Sequence, residues 1–412
     1  MMRSLFSAIS GLRNHQTLLD VVGNNIANVN TTAFKSSRVV FDDILSQTIR
    51  GASSATPNRG GINPAQVGLG MTVGGIDTIN TQGNLQSTGK TTDVAIQGDG
   101  YFVMSNGNQQ YFSRDGAFDL ASDGTIINPA SGLHVMGWNA TNGVVDTAGV
   151  PAVLRIPLGE GVIGQVTKNM TLKGNLNRDA STPYATTVTT FDSTGGEHKL
   201  TLTFTKTAAN TWSWTAAPGS TDGTTVAAPS NGTLTFDGVT GKLTAPDATA
   251  LPTVTITPPA STGTAAFTVS FDPTRLTQLA SNNEMTSVGD GAAAGSLVSF
   301  SIGNSGEVAG IYSNGLNRTL GQVAMAAFPN VGGLVKTGNN MLTVSPSSGE
   351  PQIGTPGTSG RGNISAGFLE MSNVDLAQQF TNMIVAQRGF QANARIISSS
   401  DEMLQELVSL KR

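Results

Sequence analysis

The side chains that could do chemistry are few and widely separated. The chain holds three histidines, His15, His134 and His198, and no cysteine. Zinc or thiolate chemistry needs ligands clustered at short spacings, and these histidines are too far apart in sequence to suggest such a cluster. Asp42-Asp43 and Asp401-Glu402 are adjacent pairs. They read as solvated helix-face or cap residues, because acid/base partners must face a substrate from two sides. One G-x-G-x-x-G runs from Gly159 to Gly164. It is followed by QVTKNMTL, a strand pattern, whereas a pyrophosphate would need a helix N-terminus there. No G-x-x-x-x-G-K-[ST], H-E-x-x-H or G-x-S-x-G occurs. Asn231-Gly232-Thr233 matches a glycosylation acceptor, a pattern short enough to arise by chance. The reading therefore nominates no catalytic, cofactor-binding or metal-ligating residue, and no cofactor.

Composition narrows the function further. The 412 residues carry a net charge of -4, only 12% are charged, and 50 are glycine. The charged share is about half the ~25% of ordinary globular proteins, so little electrostatic repulsion opposes self-association. A mildly acidic chain without a basic run argues against nucleic acid or an anionic membrane as partner. No apolar run approaches the ~20 residues of a membrane span, and Arg3, Arg13, Asn14, His15 and Asp20 interrupt the N-terminal stretch. Export, if it occurs, is expected without a cleavable signal peptide.

What stands out instead is two long helical patterns at the ends of the chain. In the C-terminal one, Leu376, Met383, Phe390, Ile397 and Leu404 recur every seven residues, and Phe380, Ala394 and Val408 fall four after members of that series. Ser372 with Asp375 reads as a capping box, which predicts a helix start within a residue or two of Asn373. In the N-terminal one, Leu5, Leu12, Leu19 and Ile26 form a matching series, with Ala8, Val22 and Val29 three residues on. His15 falls on this seam and reads as a helix contact. Gly389 interrupts the second helix at a cost of about 1 kcal/mol, which suggests a close helix approach. The Asn- and Thr-rich run 24–32 should end the first helix. Residues 31–70 read as a connector and turn-rich linker.

Between the helices the pattern is β. Short apolar runs separated by Asp99-Gly100, Asn106-Gly107, Asp115-Gly116 and Asp123-Gly124 predict antiparallel hairpins. Within 147–283 the flavour changes to strands that alternate bulky apolar residues with Thr or Ser, such as LTLTFTK at 200–206 and TVTIT at 253–257. The earlier flavour then returns. The expected fold is mainly β with paired terminal α-helices: a coiled-coil base of 1–30 plus 371–412, an inner β domain of 71–146 plus 284–370, and a Thr-rich outer β domain, 147–283, inserted into it. An inert spacer is the favoured reading of that insertion.

These stretches resemble a known family. GNNIANVNTTAFKSS at 23–37 and SNVDLAQQFTNMIVAQRGFQANARII at 372–397 look like the paired terminal signatures of the flagellar rod and hook proteins, with Gly23, Asn24, Asn25, Ala27, Asn28, Phe34 and Lys35 as signature positions. TGKTTDVAIQGDG at 88–100 and FSRDGAF at 112–118 resemble the β-domain signature of the same group. The long insertion looks more like a hook protein than a shorter rod protein. The resemblance implies an axial subunit of the bacterial flagellum, exported through the flagellar type III apparatus and polymerised under a cap into a curved tube. That tube would act as a universal joint between rod and filament. Copies of the chain are the expected main partner; the resemblance adds the hook cap, distal rod, hook-filament junction proteins and export apparatus. The expected location is the extracellular flagellar hook on the basal body. Leu5, Leu12, Leu19, Ile26, Leu376, Phe380, Met383, Phe390, Ile397, Leu404 and Val408 are the expected assembly surface. A distal rod subunit is the alternative within the family, and a secreted β-rich adhesin or carbohydrate-binding protein the alternative from another class.

Overall fold

A computed structural model describes residues 2–54, 59–159, 161–162, 164–221, 223–228, 230–247 and 249–409. The chain divides into two compact units, one of residues 1–156, 301–309 and 319–412, the other of 157–300 and 310–318.

In the first unit, helix α1 (Met2–Ala27) pairs with helix α2 (Leu376–Ser409). α1 stops inside the Asn/Thr run, where Asn28 donates from its side chain to the Asn24 carbonyl at 2.9 Å and so takes over an acceptor of the last turn. α2 begins later than the sequence suggests. Asp375, not Ser372, caps it, accepting from the amides of Ala377 at 2.9 Å and Gln378 at 3.2 Å. The Asn373 side chain is engaged elsewhere: its Oδ1 accepts from the Ser36 amide at 2.8 Å and its Nδ2 donates to the Ile79 carbonyl at 2.8 Å. That ties the approach to α2 onto the segment after α1.

Residues 31–70 are more ordered than a linker. Strand β1 (Ser37–Asp43), β2 (Ser46–Arg50), β3 (Ala65–Gly68) and β4 (Met71–Thr78) form two antiparallel ladders, β1 with β4 and β2 with β3. The side chains of β2 and β3 are largely exposed, so main-chain pairing specifies that ladder, whereas β1 and β4 alternate half-buried and exposed positions, with Phe41 turned toward α1. The adjacent Asp42 and Asp43 lie at the end of β1, on a strand rather than a helix face. β4 is docked on α1, since Asn14 donates to the Met71 carbonyl at 2.7 Å and the Met71 amide donates to Ser10 Oγ at 3.3 Å.

The core of this unit is built around Tyr101–Ser105, a strand buried along its whole length. It pairs with Gln110–Ser113, with His134–Thr141 and with Met325–Ala327. Phe328 meets Phe112 edge-on at 4.8 Å and Tyr101 at 6.0 Å, over Val103, Met136 and Trp138. Two short ladders close the outward and returning chain on each other: Val94–Gln97 with Asn363–Ala366, and Leu85–Ser87 with Phe368–Glu370. The unit also extends beyond residue 146. Ala152–Val153 pairs with His134–Thr141, and the Ile156 amide donates to the Gly124 carbonyl at 2.7 Å.

The second unit contains two five-stranded sheets. One is an antiparallel meander of Tyr184–Phe191, Glu197–Ala208, Thr211–Pro218, Asn231–Phe236 and Leu243–Ala245. The other is centred on Asn169–Asn177 and Phe267–Leu279, which run parallel. Alternation places Leu200, Leu202 and Phe204 in the core with Trp212 and Trp214, leaving the intervening threonines on the solvated face. Glu284–Gly289 completes the second sheet by pairing with Asn169–Asn177. This pairing keeps the chain in the second unit past residue 284, where the sequence reading returns it to the inner domain. Its sequence, EMTSVG, has too little apolar alternation to announce a strand.

Candidate assembly interface

α1 and α2 run antiparallel in a register fixed by three pairs. A Cβ on Gly11 would lie 2.7 Å from the Asn393 side chain, and one on Gly389 would lie 2.6 Å from the His15 ring. Asn25 Nδ2 lies 3.2 Å from Gln379 Oε1. Gly11 and Gly389 are therefore the points of closest approach, and His15 is a helix-contact residue that also meets Phe41 edge-on at 6.2 Å. Ala8, Gly11, Val22, Asn25, Ala386 and Ser400 are the buried members of the helix pair among the described residues.

The heptad residues divide into two sets around this seam. Leu5, Leu12, Leu19, Ile26, Met383, Phe390 and Ile397 are half-buried. Leu376, Phe380, Leu404 and Val408 face outward, with Phe380 51% and Val408 72% exposed. Ile384, Val385, Met403 and Phe6 are exposed as well, residues that the seven-residue series passes over. Leu376, Phe380 and Ile384 follow one another at i, i+4 spacing, so a pattern of fours rather than sevens would have found this row. α2 thus carries apolar surface that its own subunit does not cover on both flanks of its contact with α1, Leu376, Phe380 and Ile384 on one and Val385, Ile396 and Met403 on the other. A large aliphatic or aromatic side chain is worth ~1.5–3 kcal/mol when fully buried, so such surface favours association.

Four of the seven signature residues, Asn25, Asn28, Phe34 and Lys35, are structural fasteners. Asn25 is buried: its Nδ2 donates to the Ser37 carbonyl at 2.7 Å and its Oδ1 accepts from the Ser37 amide at 3.0 Å, which pins the end of α1 to the start of β1. Asn28 Oδ1 accepts from Thr31 Oγ1 at 3.1 Å. Lys35 Nζ contacts Glu370 Oε1 at 2.5 Å and donates to the Thr81 carbonyl at 2.8 Å. Glu370 also accepts from the Gly83 amide at 2.8 Å and from Arg114 Nη1 at 3.4 Å. Arg114 in turn donates to the carbonyls of Gly98 and Gly100 and lies 5.6 Å over the Tyr101 ring. One buried carboxylate therefore holds two cations and joins three distant segments. Burial pushes the Lys35 ammonium below its ordinary pKa, against the hydrogen bond and charge of Glu370. Phe34 stacks under Lys336 Nζ at 5.7 Å. Gly23, Asn24 and Ala27 have no such internal role: Asn24 and Ala27 are exposed, and a Cβ on Gly23 would meet nothing within 4 Å.

The remaining candidate chemistry resolves into packing. Gly164 of the glycine motif backs against Gly195, where a Cβ would lie 2.1 Å from the Gly195 Cα; Glu160 and Ile163 of that motif lie outside the described residues, as do 55–58 of the connector and 410–412 after α2. Gly232 of the Asn-Gly-Thr lies against the Trp214 indole. His198 sits in a buried hydrogen-bond chain, Nε2 to Asp192 at 3.1 Å and Nδ1 to Thr224 at 2.9 Å. Burial opposes ionisation of Asp192, but hydrogen bonds from Thr194, His198 and the Gly196 amide outweigh it and bring its pKa from 3.8 to about 2. Among the described residues, no group of three or more His, Asp or Glu could hold a metal, and no helix is long and apolar enough to cross a membrane.

Four family models match the chain: Flagella basal body rod protein over 5–35, Flagellar hook protein FlgE/F/G D1 domain over 95–181, Flagellar basal body protein FlaE D2 domain over 164–291, and Flagellar basal body rod FlgEFG protein C-terminal over 365–410. The chain is 41% identical to the flagellar hook protein FlgE of Borreliella burgdorferi, with 100% of each chain covered. It is 38% identical to that of Treponema pallidum, again over 100% of both. It is also 33% identical to the flagellar basal-body rod protein FlgG of Bacillus subtilis over 100% of both chains.

Proposed function

The chain belongs to the flagellar hook protein family, and on that premise we propose that it is a structural subunit of the bacterial flagellar hook. The observation that carries the reading is the uncovered apolar surface of α2, which ends a subunit whose β units have closed cores. Surface of this kind is covered by copies of the same chain. Contacts between two different patches of one subunit build a ring where the rotation closes and an open helical assembly where it does not; the hook reading takes the second, a helical tube. The terminal helices form its inner wall, with Leu5, Leu12, Leu19, Ile26, Leu376, Phe380, Met383, Phe390, Ile397, Leu404 and Val408 as the contact set. The β units form the outer layers. Their low charge offers neighbouring surfaces little electrostatic resistance to sliding, which suits a curved tube that transmits torque while it bends.

This reading makes the protein non-enzymatic and places it outside the cell on the basal body, delivered by the flagellar export apparatus. Its further neighbours are the hook cap, the distal rod and the hook-filament junction. The full-length likeness to a rod protein keeps a distal rod subunit as the second reading. Deletion of residues 1–30 or 373–412 should abolish polymerisation of the purified protein and leave folded β units. Tubes built by either truncated chain would refute the assembly role of the helices, and labelling of the native organelle separates hook from rod.

A further inference from the structure

The first unit holds an open cavity of about 200 Å³ beside the end of α1. Only three of its lining residues carry charge, Lys35, Arg114 and Lys336, and all three are cations. Glu370 answers Lys35 and Arg114 from behind with a single carboxylate, and Asp99 lines the adjoining cavity rather than this one. Among the described residues Lys336 meets no carboxylate: its polar contact is Ser37 Oγ at 3.4 Å, and Phe34 lies beneath it. The hairpin that presents Lys336 is fixed in place, because Asn340 donates to the Thr32 carbonyl at 2.6 Å. The cavity is thus a preformed cationic receptor with excess positive charge, suited to a carboxylate.

A matching acidic group lies at the other end of the helix pair. The register set by Gly11–Asn393 and His15–Gly389 brings the start of α1 level with Glu402, so the last turns of α2 project past it. These turns carry Asp401, Glu402 and Glu406, and no basic residue occurs between Arg395 and Lys411. Asp401 is met by Gln405 Nε2 at 3.0 Å. Glu402 and Glu406 are exposed, one helical turn apart on one side of the helix, where two like charges repel unless a cation answers them.

We propose that Glu402 and Glu406 of one copy dock into the Lys35–Arg114–Lys336 cavity of the next. The contact is heterologous and joins opposite ends of the helix pair, so it propagates along an axis. The proposal rests on the self-assembling subunit reading and adds the polar contact that sets axial register, which the apolar surface of α2 alone leaves free to slip.

The test uses the full-length chain. Wild type, K336E, K336M and the charge swaps K336E/E402K and K336E/E406K are compared for critical concentration of polymerisation by sedimentation, with thermal melts of each monomer. K336E should raise the critical concentration about tenfold or more and K336M less, with melts unchanged, and one charge swap should recover much of the loss. Zero-length carbodiimide coupling of wild-type polymer should join Lys336 to Glu402 or Glu406 between copies, and dilute monomer should lack this product. K336E polymerising at the wild-type concentration, failure of both swaps to recover it, or coupling of Lys336 only to other carboxylates would overturn the proposal. Wild type that never polymerises would overturn the subunit reading itself and this contact with it, a result distinct from the others.

Discussion

Phe380→Ala separates the stability of the subunit from the stability of the polymer. Phe380 is 51% exposed in the subunit. A phenylalanine presents ~150–250 Å² to its surroundings, so ~100 Å² of this side chain remains for a neighbouring copy to cover. At ~25 cal/mol per Å², losing that burial weakens the contact by ~2.5 kcal/mol, which raises the critical concentration roughly 60-fold. Alanine is the better helix former by about 0.5 kcal/mol, which offsets part of the packing lost inside the subunit. The monomer melt should therefore fall little while polymerisation suffers heavily. The assay is sedimentation of polymer across a concentration series, run beside circular-dichroism melts of the monomer. An unchanged critical concentration, or a fall in helix stability large enough to account for the whole effect, would refute the assignment of this face to copy-to-copy contact.

Glu370→Gln should destabilise the first unit by about 3–5 kcal/mol, because it leaves Lys35 and Arg114 buried without their shared carboxylate; denaturant melts of the full chain followed by near-UV signals would show it. Gly23→Ala should stabilise the monomer helix by ~0.5–1 kcal/mol, since an added Cβ meets no atom within the subunit; reduced amide exchange around residue 23 is the readout. Asp192, with its folded pKa near 2 and an ordinary value of 3.8, contributes stability that is complete above about pH 4 and lost as pH falls toward 2. Asp192→Asn should remove that acid sensitivity, worth ~1–2 kcal/mol after allowance for screening, from the melting profile of the second unit.

Legibility in the sequence followed local periodicity. LTLTFTK announces its strand because every second residue is apolar, and Leu200, Leu202 and Phe204 are indeed core. β1 to β3 fall in the stretch that reads as connector and linker: the side chains of β2 and β3 stay exposed and their ladder rests on main-chain bonds, while β1 finds its partner only in β4, at the start of the expected inner β domain. Ser372 and Asn373 look like cap residues, and nothing local says that Asn373 is spent on Ser36 and Ile79 instead. The leucine series identified which helix faces are apolar. It could not say which faces meet each other, because Gly11, Gly389 and His15 set the register through shape, not hydrophobicity. The Lys35–Glu370–Arg114 cluster was invisible for a plainer reason: its partners lie 335 and 256 residues apart. Only the signature resemblance singled out Lys35, and it said nothing of the carboxylate it meets.

The two short ladders that join 94–97 to 363–366 and 85–87 to 368–370 also impose an order of events. Most of the second unit, residues 157–300, is contiguous and can collapse as soon as that stretch is available. The first unit has to wait, because its closing strands and the carboxylate that holds Lys35 and Arg114 lie within the last 50 of the 412 residues. α2 comes later still. A chain delivered N-terminus first would therefore show its sticky helix face only after everything else has arrived. If the subunit assembles as proposed, this topology withholds association competence from incomplete molecules.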